Sequence, residues 1–190
     1  MSTKDSDKKK LDQVADEFSL VLNDSGADVF KSSRYIVKEL RLDESHTLDF
    51  IACIYHDKDY NEVNDLKTPH YHLCLKFQDR FRVRSILNYI VDKFHCNENQ
   101  VQIQKCTDFG AQVRYLVHLD NKDKYPYPKE DVVCSDEKTL DYYFSHLRVL
   151  DERDLVRIVE MFPNKRDLFL KLGFKQYSKY LRIINDLLRY

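Results

Sequence analysis

Pro69-His-Tyr-His-Leu-Cys-Leu-Lys-Phe77 is the stretch on which the fold turns. Tyr71, Leu73, Leu75 and Phe77 alternate with His70, His72, Cys74 and Lys76, the period of two that sends successive strand side chains to opposite sheet faces. One face is apolar, and the other begins with two imidazoles side by side. Upstream, Phe50-Ile-Ala-Cys-Ile-Tyr55 is a continuous apolar run suited to a central strand buried on both faces. Downstream, Val83 to Phe94 places Val83, Ile86, Leu87, Ile90, Val91 and Phe94 at helical spacing. Val101 to Gln104 alternates as a short strand, and Asp108 to Leu119 forms a helix with a Phe109, Val113, Leu116 and Val117 stripe. Ser33 to Leu40, around Tyr35, Ile36, Val37 and Leu40, reads as a first strand, and Asp43 to Phe50 as a helical turn. The order β, β, β, α, β, α predicts an α+β domain with helices on one face of a largely antiparallel sheet.

The flanks differ in texture. Residues 1–30 form a charged arm that passes into a weakly amphipathic Leu11 to Leu22 stretch, expected to be helical and partly disordered. A polar segment, Asp120 to Lys138, carries Pro126 and Pro128 and marks a boundary after a domain at 31–130. Residues 139–190 read as all-helical, cut by Pro163 and Gly173 into Asp151 to Met161, Lys165 to Leu172 and Lys175 to Leu188.

Composition narrows the class. Apolar residues at 43% with 3 Gly and 4 Pro describe a globular chain and exclude a collagen-like or linker-rich one. A net charge of −1 gives no support to nucleic-acid binding, so that case rests on local features. Cys53, Cys74, Cys96, Cys106 and Cys134 form an odd set without a C-x-x-C pair, which fits a reduced intracellular protein. No run approaches the roughly 20 apolar residues of a membrane span. The expectation is a soluble cytoplasmic protein without a membrane partner.

Chemistry concentrates in a short window. His56 and Asp59 follow the apolar strand, and His70 and His72 project from one face of the next. Imidazoles with a carboxylate suit Mn²⁺, Zn²⁺ or, less readily, Mg²⁺. Asp57 is an alternative carboxylate that spacing does not separate from Asp59, and an H-x-H pair on a strand is more often a solvated face. Tyr115, in Gln112-Val-Arg-Tyr-Leu-Val-His118, lies about 200° around its helix from Val113, away from the apolar stripe. Gln112 and His118 share its face.

Pro69-His-Tyr-His72 resembles the His-hydrophobic-His motif of the HUH endonucleases. Tyr55-His-Asp-Lys-Asp59 and Arg114-Tyr-Leu-Val-His118, followed by Leu-Asp-Asn-Lys-Asp-Lys-Tyr-Pro-Tyr127, resemble the plasmid rolling-circle replication initiators. The likeness covers roughly residues 33–130, and the three motifs are specific only together. It implies a five-stranded antiparallel sheet with helices, related to ferredoxin-like and RRM folds. It further implies one divalent ion, Mn²⁺ or Mg²⁺, on His56, Asp59, His70 and His72, with Tyr115 as the nucleophile in single-stranded origin DNA. The product would be a 5′-phosphotyrosine link and a 3′-OH primer. Gln112 and His118 are placed to assist, and a single tyrosine in the motif fits the one-tyrosine subclass. Host helicase and polymerase are the implied partners, since no Walker A pattern is present.

Cationic candidates for the strand are Lys76, Arg80, Arg82, Arg84, Lys105 and Arg114. In the C-terminal part, Lys165 to Leu188 has the length and Gly-containing turn of a helix-turn-helix, with Lys175, Lys179 and Arg182 able to face phosphates. Its apolar residues equally suit a homo-oligomer interface. The rivals from other classes are an RRM-like module that binds without cutting and a hydrolase using water, while a conjugative relaxase or a viral initiator would share the same chemistry.

Overall fold

The computed structural model describes residues 10–23, 29–43, 46–61, 65–121, 123–145, 155–156, 159–160 and 163–188, with the side chains of 170–176 and 179 left aside. Its sheet is built from β1 (Val14–Asn23), β2 (Leu48–His56), β3 (His70–Arg82), β4 (Val101–Lys105) and β5 (Val133–Cys134). The spatial order is β4-β1-β3-β2-β5, and every pair is antiparallel. The helices are α1 (Ser33–Arg41), α2 (Val83–Phe94), α3 (Phe109–Tyr115), α4 (Glu137–Ser145) and α5 (Lys165–Leu187). The α+β class and the five-stranded antiparallel sheet agree with the sequence. The middle strand is β3, whose alternation is the strongest in the chain.

Several elements differ from the sequence reading. Ser33–Arg41 is a helix rather than a strand. Ser32 Oγ accepts from the Tyr35 N–H at 3.1 Å, a cap that sets the first turn, and Ile36, Val37 and Leu40 then fall on one buried face. Two β-branched neighbours imitate a strand there, but the cap and the burial follow helical spacing. Ser32→Ala should cost about 1 kcal/mol of stability. Urea unfolding checks this, and an unchanged midpoint would remove the cap from the account.

Val14–Asn23, expected as a helix in a partly disordered arm, is instead a ten-residue strand paired on both sides. Leu11, Val14, Phe18 and Leu22 satisfy helical spacing, while Phe18, Leu20 and Leu22 satisfy a period of two. Backbone pairing to β3 and β4 decides between them. The segments 1–9, 24–28 and 146–154 lie outside the described residues, as do parts of the expected Asp43 to Phe50 and Asp151 to Met161 elements, and Leu48 to Phe50 open β2 rather than close a helical turn.

Helices cover both sheet faces, not one. On the first face, α1 and α2 pack on Phe18, Leu20, Leu22, Leu73, Leu75 and Phe77. On the second, α3 and α4 pack on Phe50, Ala52, Ile54 and Cys74. The unbroken run Phe50 to Ile54 needs both layers, since its alternate side chains enter different cores. His70 and His72 sit at the start of β3 on the second face, where the end of α3 reaches them.

The chain divides into two units, Met1–His146 and Leu147–Tyr190. In the second, α5 runs without a break through Gly173, where the sequence suggests a turn between two helices. Asn164 caps it, accepting from the Asp167 N–H at 2.9 Å, and Leu168, Tyr180 and Ile184 bury against Leu155 and Val159. Leucine, lysine and phenylalanine on either side carry enough helix propensity to absorb one glycine, at a cost of about 1 kcal/mol. Among the described residues no helix is long and apolar enough to cross a membrane.

Candidate functional site

The end of β2 and the start of β3 are in register, with His56 opposite His70. That pairing brings His56, Asp59, His70 and His72 together, with one donor atom from each inside a 4.8 Å cluster. All four are buried, His56 completely.

Tautomers follow from the neighbours. His56 Nε2 lies 2.7 Å from the Leu116 carbonyl at the end of α3. A carbonyl only accepts, so Nε2 carries a hydrogen and Nδ1 is the atom turned to Asp59 Oδ2 at 3.2 Å, a donor to the carboxylate when it holds a proton and a metal ligand when it does not. His70 Nδ1 likewise donates to the Thr68 carbonyl at 2.8 Å, which leaves its Nε2 lone pair 3.1 Å from His72 Nε2 and 3.7 Å from Asp59 Oδ2. Lone pairs held this close repel unless a proton or a metal ion lies among them. Asp59 Oδ1 is buried without a hydrogen-bond partner, a further acceptor with nothing to accept. The donor set of three imidazoles and one carboxylate therefore fits a divalent transition metal. Carbonyl partners on the far imidazole nitrogens are the outer shell such a site requires.

Burial pushes His72 down to about 2 and also lowers His70 and His118, because each imidazolium would lose its hydration. For Asp59, burial works against the carboxylate, but the hydrogen bond with His56 and the imidazoles of His56, His118 and His70 outweigh it and hold its pKa below the usual range. The sign for stability is the same for the three histidines. Below an unfolded histidine pKa of about 6.5, the unfolded chain takes up protons that the folded metal-free protein refuses. Stability is therefore full above that pH and falls below it. His72 alone predicts a loss of about 1.4 kcal/mol between pH 7.5 and 5.5. Urea unfolding in EDTA at the two pH values tests this, and equal midpoints would contradict it.

Tyr115, half-buried at the end of α3, turns its ring toward the cluster, 5.6 Å from the His72 ring and 5.0 Å from that of His118. Its hydroxyl accepts from Lys124 Nζ. The buried stripe Phe109, Val113, Leu116 and Val117 lies as the helical spacing requires. Gln112 is half-buried one turn before Tyr115.

His118 is not the helix-surface residue that spacing suggests. The helix ends at Tyr115, and His118 takes a left-handed φ of 56°. Its N–H bonds to the Tyr115 carbonyl at 3.0 Å and the Leu119 N–H to the Arg114 carbonyl at 3.1 Å, a Schellman closure with histidine where glycine is usual. The turn swings the ring inward, where Nδ1 donates to the Tyr125 carbonyl at 2.7 Å. A non-glycine residue held in this region costs on the order of 1 kcal/mol and marks a site where the ring's position matters.

The cationic candidates divide. Arg114, expected at the DNA, is buried, with Nε donating to Asp120 at 2.8 Å and Nη1 to the Tyr143 carbonyl at 3.4 Å, so it ties the α3 turn to α4. Lys76 is engaged by Glu17 at 2.7 Å beneath α3. Arg80 and Arg82 lie at the far end of β3, roughly 30 Å or more from His70 at about 3.3 Å per residue. Arg84 pairs with Glu98 at 3.0 Å at the start of α2. Lys105 is exposed on edge strand β4 and Arg182 is exposed on α5, while the side chains of Lys175 and Lys179 lie outside the described residues. Spacing did not reveal Lys124 or Tyr127, whose ring stacks on His56 at 4.1 Å with planes 3° apart. Tyr127 Oη accepts from the Lys58 N–H at 2.8 Å, fixing the stack.

An antiparallel five-stranded sheet with an H-x-H pair on its middle strand, and a tyrosine packed against that pair, defines a domain of the HUH class. Within that class, the chain belongs to the family described as plasmid replication protein, origin binding domain, whose profile matches residues 12–141. It is similar to a replication protein RepB of Lactiplantibacillus plantarum, 27% identical over 122 residues, covering 64% of this chain and 53% of that protein. A replication protein of Staphylococcus aureus is 26% identical over 92 residues, covering 48% and 43% of the two chains. One from Onion yellows phytoplasma (strain OY-M) is 27% identical over 146 residues, covering 71% and 35%. The chain thus spans between 35% and 53% of the length of these relatives.

Proposed function

We propose that this domain nicks single-stranded origin DNA of a plasmid by metal-dependent transesterification. The observation that carries the proposal is the convergence of four donor atoms, His56 Nδ1, Asp59 Oδ2, His70 Nε2 and His72 Nε2, beside the ring of Tyr115. When bound there, a divalent cation supplies Lewis-acid polarisation of the scissile phosphate. An imidazole-rich set favours Mn²⁺ over Mg²⁺.

Tyr115 Oη attacks phosphorus, forms the 5′-phosphotyrosine bond and displaces the 3′ oxygen, which leaves as a 3′-OH able to prime synthesis. His56 is oriented for its part by the Leu116 carbonyl and the Tyr127 ring, and His70 by the Thr68 carbonyl. His118 holds the turn that carries Tyr115, rather than acting from the helix surface. Strand unwinding and extension are left to a host helicase and polymerase, and the second unit serves DNA binding or self-association.

The test is incubation of labelled single-stranded oligonucleotides carrying the plasmid's origin with Mn²⁺ or with EDTA. A covalent protein–DNA adduct that forms with Mn²⁺ and is absent with EDTA is expected. Origin DNA that is bound but uncut with every divalent ion would overturn the proposal in favour of a binding module. Cleavage without an adduct would point to water.

A further inference from the structure

We propose that Lys124 is a catalytic residue of strand cleavage, its ammonium binding the attacking oxygen of Tyr115 and remaining as counter-charge while that oxygen loses its proton. The inference rests on the nicking reaction proposed above and names a group beyond the four metal donors and the attacking tyrosine.

Lys124 makes two contacts with one residue. Nζ donates to Tyr115 Oη, and the same ammonium stands over the Tyr115 ring, 4.6 Å from its centroid. The backbone around it is tied to the site on both sides. The Lys124 N–H bonds to the Asn121 carbonyl at 3.2 Å. The next residue, Tyr125, accepts from the buried His118 ring, and Tyr127 is stacked on His56. The turn after α3 thus delivers the lysine to the phenol by the same anchors that orient the cluster.

Lys124 also has charge to offer a substrate. Lys124 is half-buried, and among the described residues no carboxylate forms an ion pair with it. Its ammonium has further N–H donors beyond the one given to the phenol, and these can meet an anionic oxygen. A phosphodiester lying between Tyr115 and the histidine cluster would provide it.

The step balances without consuming the lysine. The Oη–P bond forms as the P–O3′ bond breaks, the phenolic proton leaves to solvent, and O3′ takes a proton from solvent. Lys124 keeps its own protons throughout. Its N–H directed at one Oη lone pair leaves the other for phosphorus and sets positive charge beside the oxygen as the phenol becomes anionic.

Cleavage by the whole chain is measured with origin oligonucleotide and Mn²⁺ for wild type, Lys124→Met, Lys124→Arg and Lys124→Ala. Lys124→Met should lower kcat by about 10²- to 10³-fold, the range for loss of one preorganised donor, with KM changed less than about threefold. Lys124→Arg, which keeps a charged donor, should recover most of the rate. Lys124→Ala should be rescued by ethylammonium but not by tetramethylammonium at equal ionic strength, because only the first can donate. Such rescue would not follow from a folding defect, and thermal melts of each variant accompany the rates. A Lys124→Met enzyme within threefold of wild type in kcat would overturn the proposal, as would a rise confined to KM, which would make Lys124 a DNA anchor only. Failure of wild type itself to form an adduct would instead remove the nicking reaction, and this proposal with it.

Discussion

Tyr115→Phe should abolish the covalent adduct, a loss on the order of 10⁴-fold or more, while origin binding and the melting temperature stay close to wild type. The substitution removes one oxygen and little else. The ring packs edge-on against His72 and His118, contacts a phenylalanine retains, and the lost hydroxyl has Lys124 as its partner. Lys124 is half-buried and can turn to solvent, so no fully buried charge is stranded. Stability should therefore change by less than about 1 kcal/mol. Denaturing gels with end-labelled oligonucleotide read the adduct, and fluorescence anisotropy reads binding. An adduct persisting in Tyr115→Phe would transfer the role to another tyrosine, with Tyr125 and Tyr127 the nearest candidates in the same turn. Cleavage persisting without an adduct would assign the nucleophile to water.

How much of this was legible beforehand depended on whether a residue's partner was near in sequence. The alternation of β3 and the apolar run of β2 report directly on sheet pleat and on burial of both faces, so both strands stand out. His56, Asp59, His70 and His72 flank a single connection, and antiparallel register brings them together once those strands are recognised. Strand β1 was not legible, because its apolar residues satisfy two periods and its pairing partners in β3 lie 47 to 68 residues away. The cap at Ser32 was present in the sequence, but the β-branched pair Ile36 and Val37 masked it. Arg114 reads as a surface cation at every local level. Only the later Asp120 and the α4 carbonyl of Tyr143 draw it inside. Lys124 could not be singled out among 31 lysines and arginines. Its position depends on a left-handed histidine that nothing in the local pattern announces.

These departures have a common functional consequence. Helices on both faces make β2 and β3 the rigid middle of two cores, so the strand ends that carry the histidines have little freedom to separate. The four donors are thus held within reach of a single ion. Such an arrangement should bind metal with little rearrangement.

Mn²⁺ should accordingly raise the melting temperature of the wild-type chain. At a free concentration near 100 times Kd, binding to the folded state alone contributes about 2.7 kcal/mol, which corresponds to roughly 5–10 °C for a chain of this size. His72→Leu should not respond. The substitution removes a donor with 8% exposure and replaces it with an apolar side chain next to Cys74 on the same face. Without metal the variant should be at least as stable as wild type, because a buried polar imidazole gives way to an apolar side chain. The two curves should therefore cross, with the variant ahead in EDTA and wild type ahead in Mn²⁺. This behaviour separates a metal ligand from a packing residue, whose replacement would lower both curves together. Calorimetric melts with EDTA, Mn²⁺ and Mg²⁺ measure it without any DNA present. An equal Mn²⁺ shift in His72→Leu would take His72 out of the ligand set. No shift in wild type would show that the converging lone pairs are held by a proton, leaving Tyr115 and Lys124 to act without a metal beside them.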